Sequence, residues 1–319
     1  MPILGTIASS YDLPTTRALF AGGRNTSSGI LNTIDYITVE TTGNATNFGS
    51  LTQSRLGPAG CSSSTRGLFG GGSTDSGNTG RSNVVDYVTI ASAGNATDFG
   101  DLTVARFWIS SCSSSTRGIW AGGESTTDTR TNTIDYITIA SIGNATNFGS
   151  LTVARQSLAG LSSSTRGVFG GGSSDDSSVG FRSNVIDYVT IATTGNATDF
   201  GDLTSPTRFM GACSSSTRGI FAGGQRLSQN MSSGISYVTI ASTGNATEFG
   251  DLTQQRYIIA GTSSSITGVF AGGYNISVGD RVNTIDYITI ATTGGATDFG
   301  DLTTAREGLA ACSSGHGGL

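Results

Sequence analysis

Residues 162–208 read SSSTRGVFGGGSSDDSSVGFRSNVIDYVTIATTGNATDFGDLTSPTR, and five further copies of this unit fill most of the chain. A period of roughly 20 to 50 residues is typical of solenoids, propellers and repeat arrays. Because the copies run almost end to end through the 319 residues, they predict one closed body rather than two ordinary domains. The tyrosines that mark the six copies are Tyr36, Tyr87, Tyr136, Tyr188, Tyr237 and Tyr287.

Each copy reads as four short strands, called a to d here, that are joined by tight turns. In and just before the quoted unit, strand a covers residues 157–163, b 166–172, c 184–191 and d 197–204. Strand a consists of small residues, which suits an innermost position where several strands converge on an axis. A Gly-Asn pair joins strands c and d, and Gly tolerates the positive φ that a tight hairpin requires. The repeat therefore predicts an all-β protein.

The order of residues within the unit resembles the kelch repeat. This resemblance covers roughly 300 of the 319 residues, and it implies four-stranded antiparallel blades arranged around an axis. Six copies then imply a six-bladed β-propeller. The residues that match the family pattern are the glycine doublet Gly171 and Gly172, the acidic–Tyr pair Asp187 and Tyr188, and Phe200, Leu203 and Arg208 in the places where the family usually has Trp, Leu and Arg.

The two ends of the chain predict how the ring closes. Residues 307–314 read as a strand a with no strand b after it, whereas the N-terminal repeat begins at a strand b. We therefore predict that the C-terminal strand completes blade one. Residues 1–16 are left as a lead-in, which is a candidate segment for docking on a neighbouring subunit. The predicted propeller domain is 17–319, with blades 17–56 plus 307–319, 57–106, 107–155, 156–208, 209–256 and 257–306.

The four cysteines occupy one slot of the repeat, at the end of strand a. The other two copies place Leu161 and Thr262 there, so the slot is predicted to be small and buried. Sheets that pack face to face lie about 10 Å apart, whereas a disulfide needs Cα atoms within about 7 Å. We therefore expect free, buried thiols at Cys61, Cys112, Cys213 and Cys312.

The chain contains no lysine, and its seventeen arginines fall into three slots of the repeat. The first set precedes strand b: Arg17, Arg66, Arg117, Arg166 and Arg218. The second set follows strand d: Arg55, Arg106, Arg155, Arg208, Arg256 and Arg306. The third set lies in the b–c loop: Arg24, Arg81, Arg130, Arg182, Arg226 and Arg281.

Two exceptions to the repeat suggest an ion pair between blades. Repeat five has Ser236 where the others have Asp, and repeat six has Thr267 where the others have a first-set Arg. A buried carboxylate that loses its arginine costs several kcal/mol, so paired residues should disappear together. We therefore predict that the Asp of each blade pairs with the first-set Arg of the next. The predicted pairs are Asp35–Arg66, Asp86–Arg117, Asp135–Arg166, Asp187–Arg218 and Asp286–Arg17.

Antiparallel strands place the b–c and d–a loops on one face of the ring, and there the copies differ most. Loops on a rigid scaffold are where binding usually resides. The candidate ligand-binding residues near the axis mouth are Phe107, Trp108, Phe209, Met210 and Tyr257, with Arg81, Arg130, Arg182, Arg226 and Arg281 at the rim. Two interpretations are open: an aromatic platform for a sugar or peptide, or packing between blades and against a partner protein.

Composition argues against several classes of function. The net charge of -5 and the pI near 4.8 argue against nucleic acid as a partner, because phosphate binding needs a basic surface. The only histidine is His316, so a His-based catalytic triad or metal site is not expected. We expect no catalytic residue, cofactor or metal. No apolar run approaches the roughly 20 residues of a membrane span, and residues 1–10 lack the pattern of a secretory signal.

These observations favour a non-enzymatic binding or assembly module. The surface is lysine-free and rich in Ser, Thr, Gly and Asn, as in an exposed adhesive protein. The near-identical repeats resemble the kelch-like proteins of phage genomes. The preferred setting is therefore a virion, as a phage tail or capsid-associated protein whose partners are other virion proteins or a host-surface glycan or protein. The alternative is a cytoplasmic kelch-type scaffold for protein interaction.

Overall fold

The computed structural model describes residues 15–27, 29–76, 79–125, 129–175, 181–227 and 230–319. Nearly all of the lead-in at 1–16 thus lies outside the described residues. The described chain forms an all-β propeller of six four-stranded antiparallel blades, as the repeat predicted.

The strands are short, and in the described ranges none exceeds six residues. In chain order they are β1 (Arg17–Ala21), β2 (Thr33–Thr38), β3 (Thr46–Ser50), β4 (Ala59–Ser62), β5 (Arg66–Gly70), β6 (Val84–Thr89), β7 (Thr97–Asp101), β8 (Arg106–Phe107), β9 (Ser110–Ser113), β10 (Arg117–Ala121), β11 (Glu124–Ser125), β12 (Thr133–Thr138), β13 (Thr146–Ser150), β14 (Ala159–Ser162), β15 (Arg166–Gly170), β16 (Val185–Thr190), β17 (Thr198–Asp202), β18 (Thr207–Arg208), β19 (Gly211–Ser214), β20 (Arg218–Ala222), β21 (Gln225–Arg226), β22 (Gly234–Thr239), β23 (Thr247–Asp251), β24 (Ala260–Ser263), β25 (Thr267–Ala271), β26 (Tyr274–Asn275), β27 (Asp280–Arg281), β28 (Thr284–Thr289), β29 (Thr297–Asp301) and β30 (Ala310–Ser313).

Each blade runs from an innermost strand a to an outermost strand d. The C-terminal strand β30 pairs with β1, so the predicted closure of blade one by the other end of the chain is confirmed. The innermost strands of neighbouring blades contact one another all the way around the axis. Blades one to six have the orders β30-β1-β2-β3, β4-β5-β6-β7, β9-β10-β12-β13, β14-β15-β16-β17, β19-β20-β22-β23 and β24-β25-β28-β29.

The hydrophobic core lies between the blades. A single blade cannot cover its own faces, so burial depends on the neighbour in the ring. Between blades one and two, for example, Leu19 and Phe48 pack with Phe69 and Val88. The repeated phenylalanine of strand d is buried in every copy, and it meets the tyrosine of its own strand c edge to face, as Phe48 meets Tyr36 at 5.9 Å.

Strand d of each blade carries a glycine that allows the next blade to dock. A Cβ on Gly49 would lie 2.1 Å from the carbonyl oxygen of Gly94, in the c–d hairpin of blade two. The hairpin residue Asn95 then accepts a hydrogen bond from the backbone N–H of Ser50 at 3.1 Å. Equivalent asparagines make this bond at four more interfaces, and the remaining interface has Gly295 in that position.

The four cysteines are free and buried, as the shared slot predicted. Each sulfur packs on a glycine of the next blade: a Cβ on Gly67 would lie 2.9 Å from Cys312 Sγ, and one on Gly118 would lie 2.8 Å from Cys61 Sγ. Burial raises the pKa of the Cys312 thiol to about 12. These thiols therefore act as small apolar spacers between blades.

The aspartates of strand c pair with arginines, but the predicted choice of arginine is wrong. Each aspartate meets the second-set arginine that ends the preceding blade, as Asp135 Oδ2 meets Arg106 Nη2 at 2.6 Å. The predicted partner of Asp135, the first-set Arg166, lies level with Thr190 at the end of β16 and donates to Ile240 O instead. The observed pairs are Arg55–Asp86, Arg106–Asp135, Arg155–Asp187, Arg256–Asp286 and Arg306–Asp35, all with fully buried side chains.

The first-set arginines join blades in another way. Arg166 Nη1 donates to the carbonyl oxygen of Ile240, at the end of strand c of the next blade, at 2.8 Å. Its guanidinium also lies over the ring of Tyr188 in its own blade, 4.3 Å from the centroid. The same pattern holds for Arg17, Arg66, Arg117 and Arg218.

The interface between blades four and five lacks the Arg–Asp pair. Repeat four is one residue longer at its end, and Thr207 takes the backbone position that Arg155 holds in repeat three: its N–H donates to Ser183 O and its carbonyl accepts from Gly172. Arg208 lies one residue later and points to Gln225. Ser236 on blade five is therefore matched by Thr207, not by Thr267. Both charges are absent together, as the argument about buried pairs requires.

Candidate functional site

Six backbone amides form a closed ring around the axis on the variable face. Each residue lies just after a d–a junction, and each N–H donates to the carbonyl of the preceding blade at 2.8 to 3.1 Å. All six have positive φ, and four of them are not glycine. Such backbone costs about 1–3 kcal/mol per residue and occurs preferentially at functional sites. The ring residues are Gly57, Trp108, Ser157, Phe209, Ile258 and Gly308.

A row of aromatic side chains crosses this mouth. The ring centroids of Trp108 and Phe209 lie 4.9 Å apart, and those of Phe209 and Tyr257 lie 6.0 Å apart. Tyr274 extends the row, 5.6 Å from Tyr257. All four side chains are half-buried, so part of each ring faces solvent. The structure thus brings together three predicted residues and adds Tyr274, which follows the glycine doublet at a position where no other repeat has an aromatic residue.

The other two predicted apolar residues do not form the exposed platform. Phe107 is 2% exposed and packs under the guanidinium of Arg81, 5.1 Å from its centroid. Met210 is 9% exposed and packs with Phe221 in the core between blades four and five. Phe107 contacts the exposed row from its buried side, since its ring centroid lies 5.7 Å from that of Trp108.

The rim arginines hold neighbouring blades together. Arg81 Nη2 meets Glu124 Oε1 at 2.6 Å, and Arg130 pairs with Asp175. Arg281 Nη2 meets the buried Glu307 at 2.9 Å. Of the remaining predicted rim residues, Arg182 donates to Gln225 and Arg226 lines a cavity between blades four and five.

The mouth has a basic end near Arg182 and Arg208. Arg182 Nη2 and Arg208 Nε both donate to the neutral oxygen of Gln225, at 3.2 and 2.8 Å. Burial, followed by the charge of Arg182, lowers the pKa of Arg208. In the aromatic row, burial and then the charge of Glu307 raise the pKa of Tyr257, although Glu307 is itself paired with Arg24 and Arg281. A ligand that lies on the aromatic row can therefore place a negative group next to the guanidinium of Arg208.

The opposite end of the axis is covered by the C-terminal tail. His316 Nε2 donates to Ser62 O at 3.2 Å, and its Nδ1 accepts the N–H of Gly318 at 3.0 Å. Burial lowers the pKa of His316 to about 4. Beneath the tail, six serines form a second closed ring in which each Oγ donates to the carbonyl of the preceding blade: Ser62, Ser113, Ser162, Ser214, Ser263 and Ser313.

Comparisons with known proteins do not assign a family. No protein-family model matches the chain, and a search of curated proteins finds no match. Among the described residues, no group of three His, Cys, Asp or Glu side chains is placed to hold a metal ion. In the same part of the chain, no helix is long and apolar enough to cross a membrane. The geometry of the propeller therefore carries the functional argument.

Proposed function

We propose that this protein is a non-enzymatic binding module that contacts an acidic glycan through the axis mouth. The observation that carries the proposal is the row Trp108–Phe209–Tyr257, two of whose members are held at positive φ on a closed backbone ring. Aromatic side chains present a large apolar face and lose little conformational entropy on binding. The apolar faces of sugar rings can stack on such a surface.

The acidic character of the ligand follows from the basic end of the mouth. Arg208 donates to the neutral amide oxygen of Gln225, and a guanidinium binds a carboxylate or sulfate more strongly than an amide. Arg208 also lies 5.0 Å from the ring centroid of Phe209, so cation and platform are adjacent. A uronic or sialic acid residue has both a sugar face and a carboxylate for this arrangement.

We expect Trp108→Ala and Tyr257→Ala each to weaken binding by about tenfold or more, because each removes a central aromatic contact. Binding would be measured by surface plasmon resonance with uronic-acid and sialic-acid oligosaccharides, and with neutral glucans for comparison. Ser157→Ala is the matched control, since it changes a small residue of the same backbone ring. Unchanged affinity in both aromatic variants would disprove the platform.

The biological setting that we propose is a virus particle, as a phage tail or capsid-associated protein. The support is the lysine-free, Ser/Thr/Gly-rich composition and the resemblance of the near-identical repeats to kelch-like phage proteins. Mass spectrometry of density-banded particles from the source culture tests this setting. We expect the chain to band with capsid proteins at a fixed stoichiometry. Recovery only in the soluble cell fraction would instead support a cytoplasmic kelch-type scaffold.

A further inference from the structure

A cavity of about 280 Å³ lies between blades four and five, at the interface without an Arg–Asp pair. Its lining includes Thr204, Thr207 and Ser236, and therefore both residues that replace the pair. The exposed side chains of Arg226 and Gln255 also line it, so the cavity reaches solvent at the variable face. Two large charged side chains have been replaced by two small ones, and the neighbouring structure has not closed over the space.

The adjacent interface shows what such a space accommodates. Arg256 Nη1 donates to the carbonyl oxygens of Gly272 and Thr284 at 2.6 and 2.8 Å. Its Nη2 donates to Asp286 at 2.6 Å and approaches Phe270 O at 3.4 Å. Backbone carbonyls therefore supply most of the acceptors for a guanidinium group, and the aspartate supplies the charge.

Blade five keeps the same backbone acceptors. Strands β20 and β22 pair in the same register as β25 and β28, with Phe221 opposite Ser236 as Phe270 is opposite Asp286. The carbonyls of Phe221, Gly223 and Gly234 are thus the counterparts of those that bind Arg256, and all three residues line the cavity. Their arrangement is preformed because it belongs to the backbone of the blade.

A carboxylate is also retained at the cavity. Glu248 lies opposite Ser236 in the pairing of β22 with β23, where blade six has Asp298 opposite Asp286. Glu248 lines the cavity, and it is one methylene longer than aspartate. Asp251 lines the cavity as well, so the cavity combines convergent carbonyl acceptors, the hydroxyl groups of Ser236 and Thr204, and two carboxylates.

We propose that this cavity is a binding site for a guanidinium cation that comes from outside the chain. A planar cation with several N–H donors satisfies the acceptors that arginine satisfies at the other interfaces. Two sources share this chemistry: a small alkylguanidine, or the side chain of an arginine in a partner peptide. The proposal does not depend on the proposed glycan contact, because the cavity lies between two blades and not at the aromatic row.

Methionine methyl NMR tests the site directly. The chain has three methionines, and two of them, Met210 and Met231, line the cavity. With ¹³C-methyl methionine, methylguanidinium should shift both of these signals in a saturable way. The neutral isostere N-methylurea, which has similar donors but no charge, should not. The absence of a saturable shift with methylguanidinium, or equal shifts with N-methylurea, would overturn the proposal.

Three variants sharpen the test. The double variant T207R/S236D restores the pair of the other interfaces, so it should abolish the response to methylguanidinium. Glu248→Gln changes an exposed side chain and should weaken binding several-fold, whereas Arg226→Ala removes a like charge at the rim and should tighten it. A response that persists in a folded T207R/S236D protein, or that is the same in E248Q as in the unmodified chain, would exclude this cavity as the site.

Peptides separate the two sources of the cation. An Ala-Arg-Ala peptide that shifts both methionine signals at lower concentration than methylguanidinium assigns the site to arginine in a partner. If the peptide instead needs a higher concentration than methylguanidinium to shift these signals, the site is assigned to a small alkylguanidine. The matched Ala-citrulline-Ala peptide keeps the shape and removes the charge, and an equal response to it would contradict the cation site in either form.

Discussion

Replacing Asp135 with alanine is expected to lower the free energy of unfolding by about 3–5 kcal/mol. The change leaves the guanidinium of Arg106 buried without its carboxylate partner, and it also removes the acceptor of Thr103 Oγ1 at 2.6 Å. Burial already lowers the pKa of Arg106 from its ordinary value, and Asp135 is the main group that opposes this effect. Urea-induced unfolding followed by circular dichroism measures the loss.

Two controls distinguish a buried pair from an ordinary surface contact. Asp175→Ala removes the exposed partner of Arg130 and should cost less than about 1 kcal/mol. The double variant R106T/D135S copies the residues found between blades four and five, and it should be more stable than D135A because no unpaired charge stays buried. A cost for D135A no greater than that for D175A would contradict the role assigned to the pair.

The imidazole of His316 is expected to titrate near pH 4 rather than near its ordinary 6.5. Its folded pKa is lowered, so the neutral ring stabilises the docked tail above pH 6.5, and this stabilisation is lost as the pH falls towards 4. Across that window the docking equilibrium should fall by up to about tenfold per pH unit. Protonation at Nδ1 removes the acceptor of the Gly318 N–H. Because His316 is the only histidine, the ¹⁵N imidazole NMR signals, one from each ring nitrogen, report on this residue alone.

Gly318→Ala provides the control for the tail. A Cβ at this position would lie 1.9 Å from the carbonyl oxygen of Ser113, so the tail could not dock in the same place. In this variant the pKa of His316 should return to about 6.5. A titration near 6.5 in the unmodified chain would show that the imidazole is not held beneath the tail in solution.

Much of the architecture could be predicted because it depends on patterns that repeat within the chain. The four strands of each blade, the closure by β30 and the buried thiols all follow from residue types at fixed positions in the unit. The residue that each cysteine contacts could not be predicted from the sequence. Its partner is a glycine such as Gly67 or Gly118 in the next blade, and glycine has no side chain whose pattern indicates a contact.

The Arg–Asp pairing shows where periodicity stops being informative. The first and second arginine sets recur with the same period as the aspartates, so spacing alone cannot decide between them. Ser236 stands where the other repeats have Asp, and Thr267 where they have a first-set Arg, and this coincidence favoured the first set. The true counterpart, Thr207, was hidden because repeat four has one extra residue and still carries an arginine at 208.

The sequence by itself determined the number of blades, their four-strand composition and the face on which the copies differ, since each of these follows from the period and residue types of one repeat. Only the tertiary structure decided which arginine meets Asp135, that Tyr274 joins Trp108, Phe209 and Tyr257, and that a cavity replaces one ion pair. These features depend on contacts between residues of different repeats. Closing the ring brings such residues within a few ångströms, although their separation along the chain resembles that of many pairs that never meet.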